Sequence, residues 1–331
     1  MNWRKTLTYL ISLGIGVLLF YLAFSLVDDR DALWNDMKSA SWTGVMASFL
    51  MGYLAIVSRG LRWGILLEPL GYQPAKLRSV HAVAFAYFAN TFVPRSGELA
   101  RCAALNQTDE IPVDQLFGTV ISERVIDFVF LLTLTVVAVL GNLPAFLELM
   151  EVAELPALDK LIGAGGLVFL LVGALWWKRG ELAKWSFVSR VTNFLLGVWD
   201  GLNSIRRMKR KGLFLAHTFF IWFMYFFMAW VIFKSIDAVA EMTVLQGIFI
   251  MVAGGFGMVI PAPGGVGSYH WAVMLGFSAL GFAQELGFAV ANVIWITQTA
   301  MIIVMGGLAY LSLLWFRFKK DREKQEGWKR S

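Results

Sequence analysis

The chain has 331 residues, of which 58% are hydrophobic and 16% are charged, and its mean hydropathy is +0.65. Several apolar runs exceed the roughly 17 residues that a helix needs to cross a bilayer core, which indicates a polytopic α-helical membrane protein and argues against a β-barrel. The net charge of +6 does not indicate a nucleic-acid partner, because Lys and Arg collect at the ends of the apolar runs, as membrane topology requires.

Signatures of catalysis and of metal binding are missing from the sequence. Its one cysteine, Cys102, excludes an intramolecular disulfide and a cysteine-based metal cluster. No nucleotide-binding P-loop, H-E-x-x-H pair or G-x-S-x-G elbow occurs. We therefore expect a transporter-like protein with no cofactor and no bound metal, rather than an enzyme.

In chain order, the apolar runs predict an all-α protein with both termini in the cytoplasm. The second run is expected to end at Ser58, before a cytoplasmic loop that carries Arg59 and Arg62. Two further segments, 80–106 and 243–282, are interrupted by proline and glycine and are predicted to be re-entrant hairpins. The predicted full spans are 7–27, 42–58, 112–141, 160–177, 213–233 and 286–316.

The two interruptions resemble one another. "VPRSGE" (93–98) and "IPAPGG" (260–265) lie 167 residues apart, so that Pro94 coincides with Pro261 and Gly97 with Gly264. The predicted topology makes the hairpins enter from opposite sides, which is typical of an inverted repeat whose broken helices meet at a transport site. The halves would be 1–165 and 166–316, followed by a basic cytoplasmic tail, 317–331. The candidate hinge residues are Pro94, Gly97, Pro261, Pro263, Gly264, Gly265 and Gly267.

Charged residues accompany the first interruption. Arg95, Glu98 and Arg101 follow it, and a second group lies in the helix that begins near Pro112: Glu123, Arg124 and Asp127. Ionisable groups at membrane depth usually pair with each other or line a pathway. One interpretation is an ion-pair network that locks the hairpin to the helix. The other is that Arg95 and Arg101 bind a phosphate, since guanidinium groups are bidentate phosphate ligands.

His270 follows the second interruption and has two interpretations. It could titrate or bind a headgroup, or it could be a polar side chain that only packs in the interior.

Four motifs carry a family resemblance: "RGLRW" (59–63), "FANTFVPRSGELAR" (88–101), "GTVISERVIDF" (118–128) and "IPAPGGVGSYHW" (260–271). With these motifs the chain resembles the lysylphosphatidylglycerol synthase transmembrane (flippase-like) family over nearly its whole length. The resemblance implies a single flippase-like domain over 1–331, without the soluble synthase domain of bifunctional relatives. Many members have glutamate where His270 stands.

The resemblance also implies a function. A lipid would move between leaflets of a prokaryotic inner membrane. Arg95 and Arg101 indicate that this lipid bears a phosphate, with aminoacylated and polyprenyl lipids as candidates. The partners would be a membrane phospholipid or lipid-linked substrate, and a homodimer is compatible with the resemblance. The alternatives are a membrane-embedded transferase on a lipid-linked substrate and a non-transporting subunit of a cell-envelope synthesis complex. The candidate substrate-binding residues are Asn90, Arg95, Glu98, Arg101, Glu123, Arg124, Asp127 and His270.

Overall fold

The computed structural model describes residues 3–152 and 208–328. Within these ranges the protein is all-α, as predicted, and no strand occurs. The helices are α1 (Trp3–Ser25), α2 (Arg30–Ser39), α3 (Trp42–Leu67), α4 (Lys76–Phe92), α5 (Gly97–Asp109), α6 (Val113–Gly141), α7 (Leu143–Val152), α8 (Lys211–Phe233), α9 (Val244–Gly257), α10 (Ser268–Ala279) and α11 (Gln284–Trp328).

Among the described residues, α3, α6, α8 and α11 are each long and apolar enough to cross a membrane. Helices α1 and α2 meet at a bend of 105°, and counting that pair as one span would add a fifth. The predicted span 160–177 and the predicted boundary between the halves, 165/166, lie outside the described residues. The number of spans and their orientation therefore remain predictions.

Helix α3 corrects one predicted boundary. The prediction that this span ends at Ser58 and leads into a cytoplasmic loop is wrong, because the helix continues without interruption to Leu67. Arg59 and Arg62 therefore lie inside the protein, where they are 5% and 0% exposed. A buried charge persists only when it is paired, and the partners of both arginines are described below.

Both interrupted segments form helical hairpins. Helices α4 and α5 pack against each other across a break at 93–96, and α9 and α10 do so across a break at 258–267. Thr243 begins α9 with a capping box, in which it exchanges hydrogen bonds with Gln246. Whether either hairpin is re-entrant depends on the position of the bilayer and stays a prediction.

The helices repeat at a constant spacing along the chain. Helices α3, α4, α5 and α6 begin at 42, 76, 97 and 113, and α8, α9, α10 and α11 begin at 211, 244, 268 and 284. Each counterpart therefore starts 168 to 171 residues later. The spacing of about 170 residues, first indicated by the two six-residue motifs, thus applies to four consecutive helices.

Helix α11 extends beyond the predicted span and includes most of the basic tail. Its last turns carry ion pairs at i,i+4 spacing, such as Lys319 with Glu323. Near the same end, Arg317 donates to the side chain of Gln107 and Lys320 donates to the carbonyl of Thr108. Helix α11 therefore contacts the end of α5, the second helix of the first hairpin.

Candidate functional site

The same turn occurs at both breaks. In the first, the Ser96 amide donates to the Val93 carbonyl at 3.2 Å, and the turn's central residues are Pro94 and Arg95. Arg95 has φ of +61°. A proline followed by a left-handed residue is the signature of a type II turn, whose second central position favours glycine.

In the second break, the Gly265 amide donates to the Ala262 carbonyl at 3.0 Å, around Pro263 and Gly264. Gly264 has φ of +56°. By backbone conformation Pro94 thus corresponds to Pro263, two residues later than the sequence motif suggested, and Arg95 corresponds to Gly264.

Arg95 occupies a position that strains its backbone. A left-handed conformation costs a non-glycine residue about 1–2 kcal/mol, and residues held in this way cluster at functional sites. The Arg95 side chain is exposed, and its Nη2 lies 3.4 Å from the Val259 carbonyl oxygen, beyond the end of α9. A Cβ built on Gly264 would lie 3.7 Å from Cγ2 of Thr91. The two breaks are therefore in contact.

Gly97 and Asn90 shape the first break from within. The Gly97 amide donates to Oδ1 of Asn90 at 2.7 Å. Asn90, which the sequence predicted to bind substrate, thus accepts a hydrogen bond from a backbone N–H group in the first turn of α5. A Cβ on Gly97 would overlap the Ala86 carbonyl oxygen. Glycine is thus required at position 97 because α4 and α5 approach closely there. In the second break, Gly264, Gly265 and Gly267 are favoured because their φ angles are positive.

An open cleft of about 570 Å³ lies between the first break and α6. Its charged lining residues are Arg95, Glu98 and Arg124, and Nη2 of Arg124 lies 2.9 Å from Oε1 of Glu98. The side chains of this pair are 46% and 27% exposed. Apolar side chains form the rest of the wall: Leu99, Phe117, Val120, Ile121, Val125 and Phe128.

Behind the cleft, Glu123 of α6 is fully buried and ion-paired with three arginines. Its Oε1 lies 3.3 Å from both Nε of Arg59 and Nη2 of Arg62. Its Oε2 accepts a hydrogen bond from Nη1 of Arg101 at 3.0 Å. The Arg101 guanidinium also lies over the ring of Trp63, 4.7 Å from its centroid.

Asp127 lies one helical turn after Glu123 and extends the same network. Its Oδ1 is 2.9 Å from Nη1 of Arg62, and its Oδ2 accepts a close hydrogen bond from Nη2 of Arg59. Nη1 of Arg59 donates to the Tyr87 hydroxyl, which shares a 2.8 Å hydrogen bond with the Tyr225 hydroxyl of α8. The buried cluster, Arg59, Arg62, Arg101, Glu123 and Asp127, therefore joins α3, α5 and α6 and reaches α4 and α8 through the tyrosines.

The structure separates the charged residues predicted from sequence into two groups. Arg95, Glu98 and Arg124 line the cleft, whereas Arg101, Glu123 and Asp127 belong to the buried cluster. Buried networks of this kind are strongly destabilised when one partner is removed. The buried group forms ion pairs between α3, α5 and α6, and the cleft group lies at an open surface.

Sequence reasoning missed Arg59 and Arg62 as partners of this network. A spacing signal was available, because arginines three residues apart on one helix match carboxylates four residues apart on another. The two arginines looked like the end of a span because basic residues normally mark one.

His270 lies apart from the cleft and is fully buried. Its ring contacts Phe20, Phe288 and Trp295 at centroid distances of 5.1, 5.7 and 5.3 Å. These rings enclose His270. The packing and headgroup interpretations of His270 both stay predictions.

Comparison with known proteins gives this site a family. The family model described as the lysylphosphatidylglycerol synthase TM region matches residues 9–306, which include both breaks, the cleft and the buried cluster. The chain belongs to the lysylphosphatidylglycerol synthase transmembrane-region family. The resemblance predicted from the four motifs is confirmed.

One curated relative of the chain is the UPF0104 membrane protein MJ1595 of Methanocaldococcus jannaschii. The two are 22% identical over 324 residues, which cover 93% of this chain and 95% of the relative. No solved structure matches the chain.

Proposed function

We propose that the protein is a lipid transporter that moves a phosphate-bearing lipid between the leaflets of a prokaryotic inner membrane. The observation that carries the proposal is Arg95, whose exposed guanidinium lies beside an apolar cleft although its backbone conformation favours glycine. A cationic group at the edge of an apolar wall suits a ligand with a phosphate and acyl chains.

The neighbouring ion pair supports the same ligand. Arg124 is half-exposed and bound to Glu98 in a single contact, so a phosphate could replace the carboxylate without exposing an unpaired buried charge. Exposed ion pairs contribute about 0–1 kcal/mol to stability, which makes such an exchange inexpensive. The apolar side chains of Leu99, Phe117 and Phe128 would contact the acyl chains.

The contact between the two breaks supports movement rather than static binding. A proline turn with a left-handed residue interrupts each hairpin where the two touch, and this residue is Arg95 in the first and Gly264 in the second. Paired broken helices of this type form transport sites in inverted-repeat transporters, where one half rocks against the other. We propose that the buried cluster keeps the first hairpin together with α3 and α6 as one body, and that the second hairpin moves against this body.

Two other classes of function predict different results. A membrane-embedded transferase would yield a modified lipid detectable by mass spectrometry. A non-transporting subunit would tolerate removal of the Arg95 side chain as long as the protein folds.

The test is leaflet exchange in proteoliposomes that contain labelled phospholipids. We expect the wild-type protein to accelerate exchange and Arg95→Ala and Arg124→Gln to reduce it at least about tenfold, the loss of one charge-assisted contact. The matched control is Arg210→Gln. The Arg210–Glu68 pair has the same 2.9 Å separation and similar exposure, 51% and 28%, but does not line the cleft. Exchange that is equal in all four proteins would contradict the proposal.

A further inference from the structure

We infer that the cleft selects lipids whose headgroup is net negative and discriminates against cationic, aminoacylated headgroups. This inference rests on the proposed function and specifies its substrate class. The inference follows from the charges that line the cleft and from those of the buried cluster next to it.

The cleft itself has a surplus of one positive charge. Arg95 and Arg124 line it, and the one carboxylate among its lining residues is that of Glu98. Guanidinium groups stay protonated at any physiological pH. A bound headgroup with one negative charge would neutralise this surplus, whereas an added ammonium would compete with the two arginines.

The buried cluster adds a second surplus charge behind the wall. Three guanidinium groups, those of Arg59, Arg62 and Arg101, surround two carboxylates, those of Glu123 and Asp127. Each carboxylate is ion-paired with at least two of the arginines, and every one of the five residues is at least nine-tenths buried. Water therefore screens this surplus charge poorly.

The two surpluses lie close to each other. Glu123 of the buried cluster and Arg124 of the cleft are consecutive residues of α6, so the two groups of charges are adjacent along this helix. Glu98 and Arg101 are one turn apart on α5. Glu98 pairs with Arg124 in the cleft, and Arg101 pairs with Glu123 in the buried cluster. In the apolar surroundings of Val120 and Val125 the fields of both groups act on a headgroup in the cleft.

The same charge would attract inorganic phosphate, and the lining of the cleft distinguishes the two sources. Leu99, Phe117, Ile121 and Phe128 are 60%, 39%, 46% and 49% exposed. These side chains can bury apolar area against acyl chains, whereas a free anion has no apolar area to bury against them. We therefore expect a lipid to bind at least about a hundredfold more tightly than inorganic phosphate.

Native mass spectrometry of the full chain in detergent tests the inference. The protein is titrated with phosphatidylglycerol, phosphatidylethanolamine and lysyl-phosphatidylglycerol of identical acyl chains, and with inorganic phosphate. We expect phosphatidylglycerol to bind at least about tenfold more tightly than the lysyl form, because electrostatic complementarity separates ligands of opposite charge. Glu98→Gln should widen this ratio and Arg124→Gln should reduce it to about twofold or less, whereas Arg210→Gln should leave it unchanged.

The outcomes separate the inference from the proposed function. Equal or tighter binding of the lysyl form, still weakened by Arg124→Gln, would overturn the charge selection and leave the lipid site intact. Binding of every lipid unaffected by Arg95→Gly and Arg124→Gln would overturn the site itself. If inorganic phosphate displaces phosphatidylglycerol at equal concentration, the claim that the bound phosphate group belongs to a lipid is overturned.

Discussion

Arg95 and Gly264 occupy the same position of two matching proline turns, one in each hairpin, and both have left-handed backbones. Glycine adopts this conformation without strain, and arginine does not. The first hairpin therefore carries backbone strain at the residue whose guanidinium lines the cleft. This asymmetry between otherwise equivalent turns leads to the first prediction.

Arg95→Gly should stabilise the protein. Removing the strain of a left-handed non-glycine residue favours folding by about 1 kcal/mol, after the extra entropy that glycine gives the unfolded chain is subtracted. Thermal unfolding in detergent, followed by loss of the helical signal, measures the effect. The control is Gly264→Ala, which should be destabilised because alanine would be strained there although it has room. A lower unfolding temperature for Arg95→Gly would show that the turn is not strained.

Glu123→Gln should destabilise the protein strongly. The substitution leaves Asp127 as the charged partner of Arg59 and Arg62 and removes the carboxylate partner of Arg101, and breaking a buried pair costs about 3–5 kcal/mol. The matched control is Glu98→Gln, whose partly exposed pair should change the free energy of unfolding by less than about 1 kcal/mol. Both are measured by thermal unfolding in the same detergent. Equal stabilities of the two variants would contradict the structural role of the buried cluster.

Gly97→Ala should impair folding, whereas Gly118→Ala should not. A Cβ on Gly97 would overlap the Ala86 carbonyl oxygen and crowd the side chain of Asn90, and overpacking of this kind costs about 1–3 kcal/mol. Gly118 of α6 has nothing within 4 Å of the added Cβ, and alanine there should stabilise the helix by about 0.5–1 kcal/mol. The yield of monodisperse protein and its unfolding temperature report both effects. A Gly97→Ala variant as stable as wild type would place the two hairpin helices farther apart than described.

Linking the two hairpins where they touch should stop transport. Thr91 lies against Gly264, and Cys102 is the only native cysteine, so Thr91→Cys with Gly264→Cys in a Cys102→Ala background creates one specific thiol pair. If the hairpins must separate during transport, oxidation should abolish lipid exchange and reduction should restore it. The single-cysteine variants, treated with the same oxidant, control for chemical damage. Undiminished exchange by fully cross-linked protein would exclude separation of the breaks.

Periodicity and breaker residues predicted much of the fold. The all-α class follows from the length of the apolar runs, and Pro112 marked the start of α6 to within one residue. The breaks near Pro94 and Pro263 were also predicted correctly, because proline and glycine interrupt helices for local reasons. Local chemistry of this kind can be read from one segment at a time.

The features that depend on contacts between segments were not predicted, and the spacing of Arg59 and Arg62 was the one sequence signal for them. Whether Arg59 and Arg62 end a helix or continue it depends on carboxylates more than fifty residues away in the chain. Matching letters aligned Pro94 with Pro261, whereas backbone conformation aligns it with Pro263. The unusual φ of Arg95, which carries the functional proposal, leaves no trace in the sequence.

The most direct test of the account is the rate of lipid exchange between leaflets in proteoliposomes containing Arg95→Gly, measured beside wild type and Arg210→Gln. This variant removes the guanidinium and relieves the backbone strain, so a loss of function cannot be attributed to poor folding. We predict that Arg95→Gly is at least as stable as wild type and exchanges phosphatidylglycerol at least about tenfold more slowly, whereas Arg210→Gln is unchanged. Wild-type exchange by Arg95→Gly would contradict it.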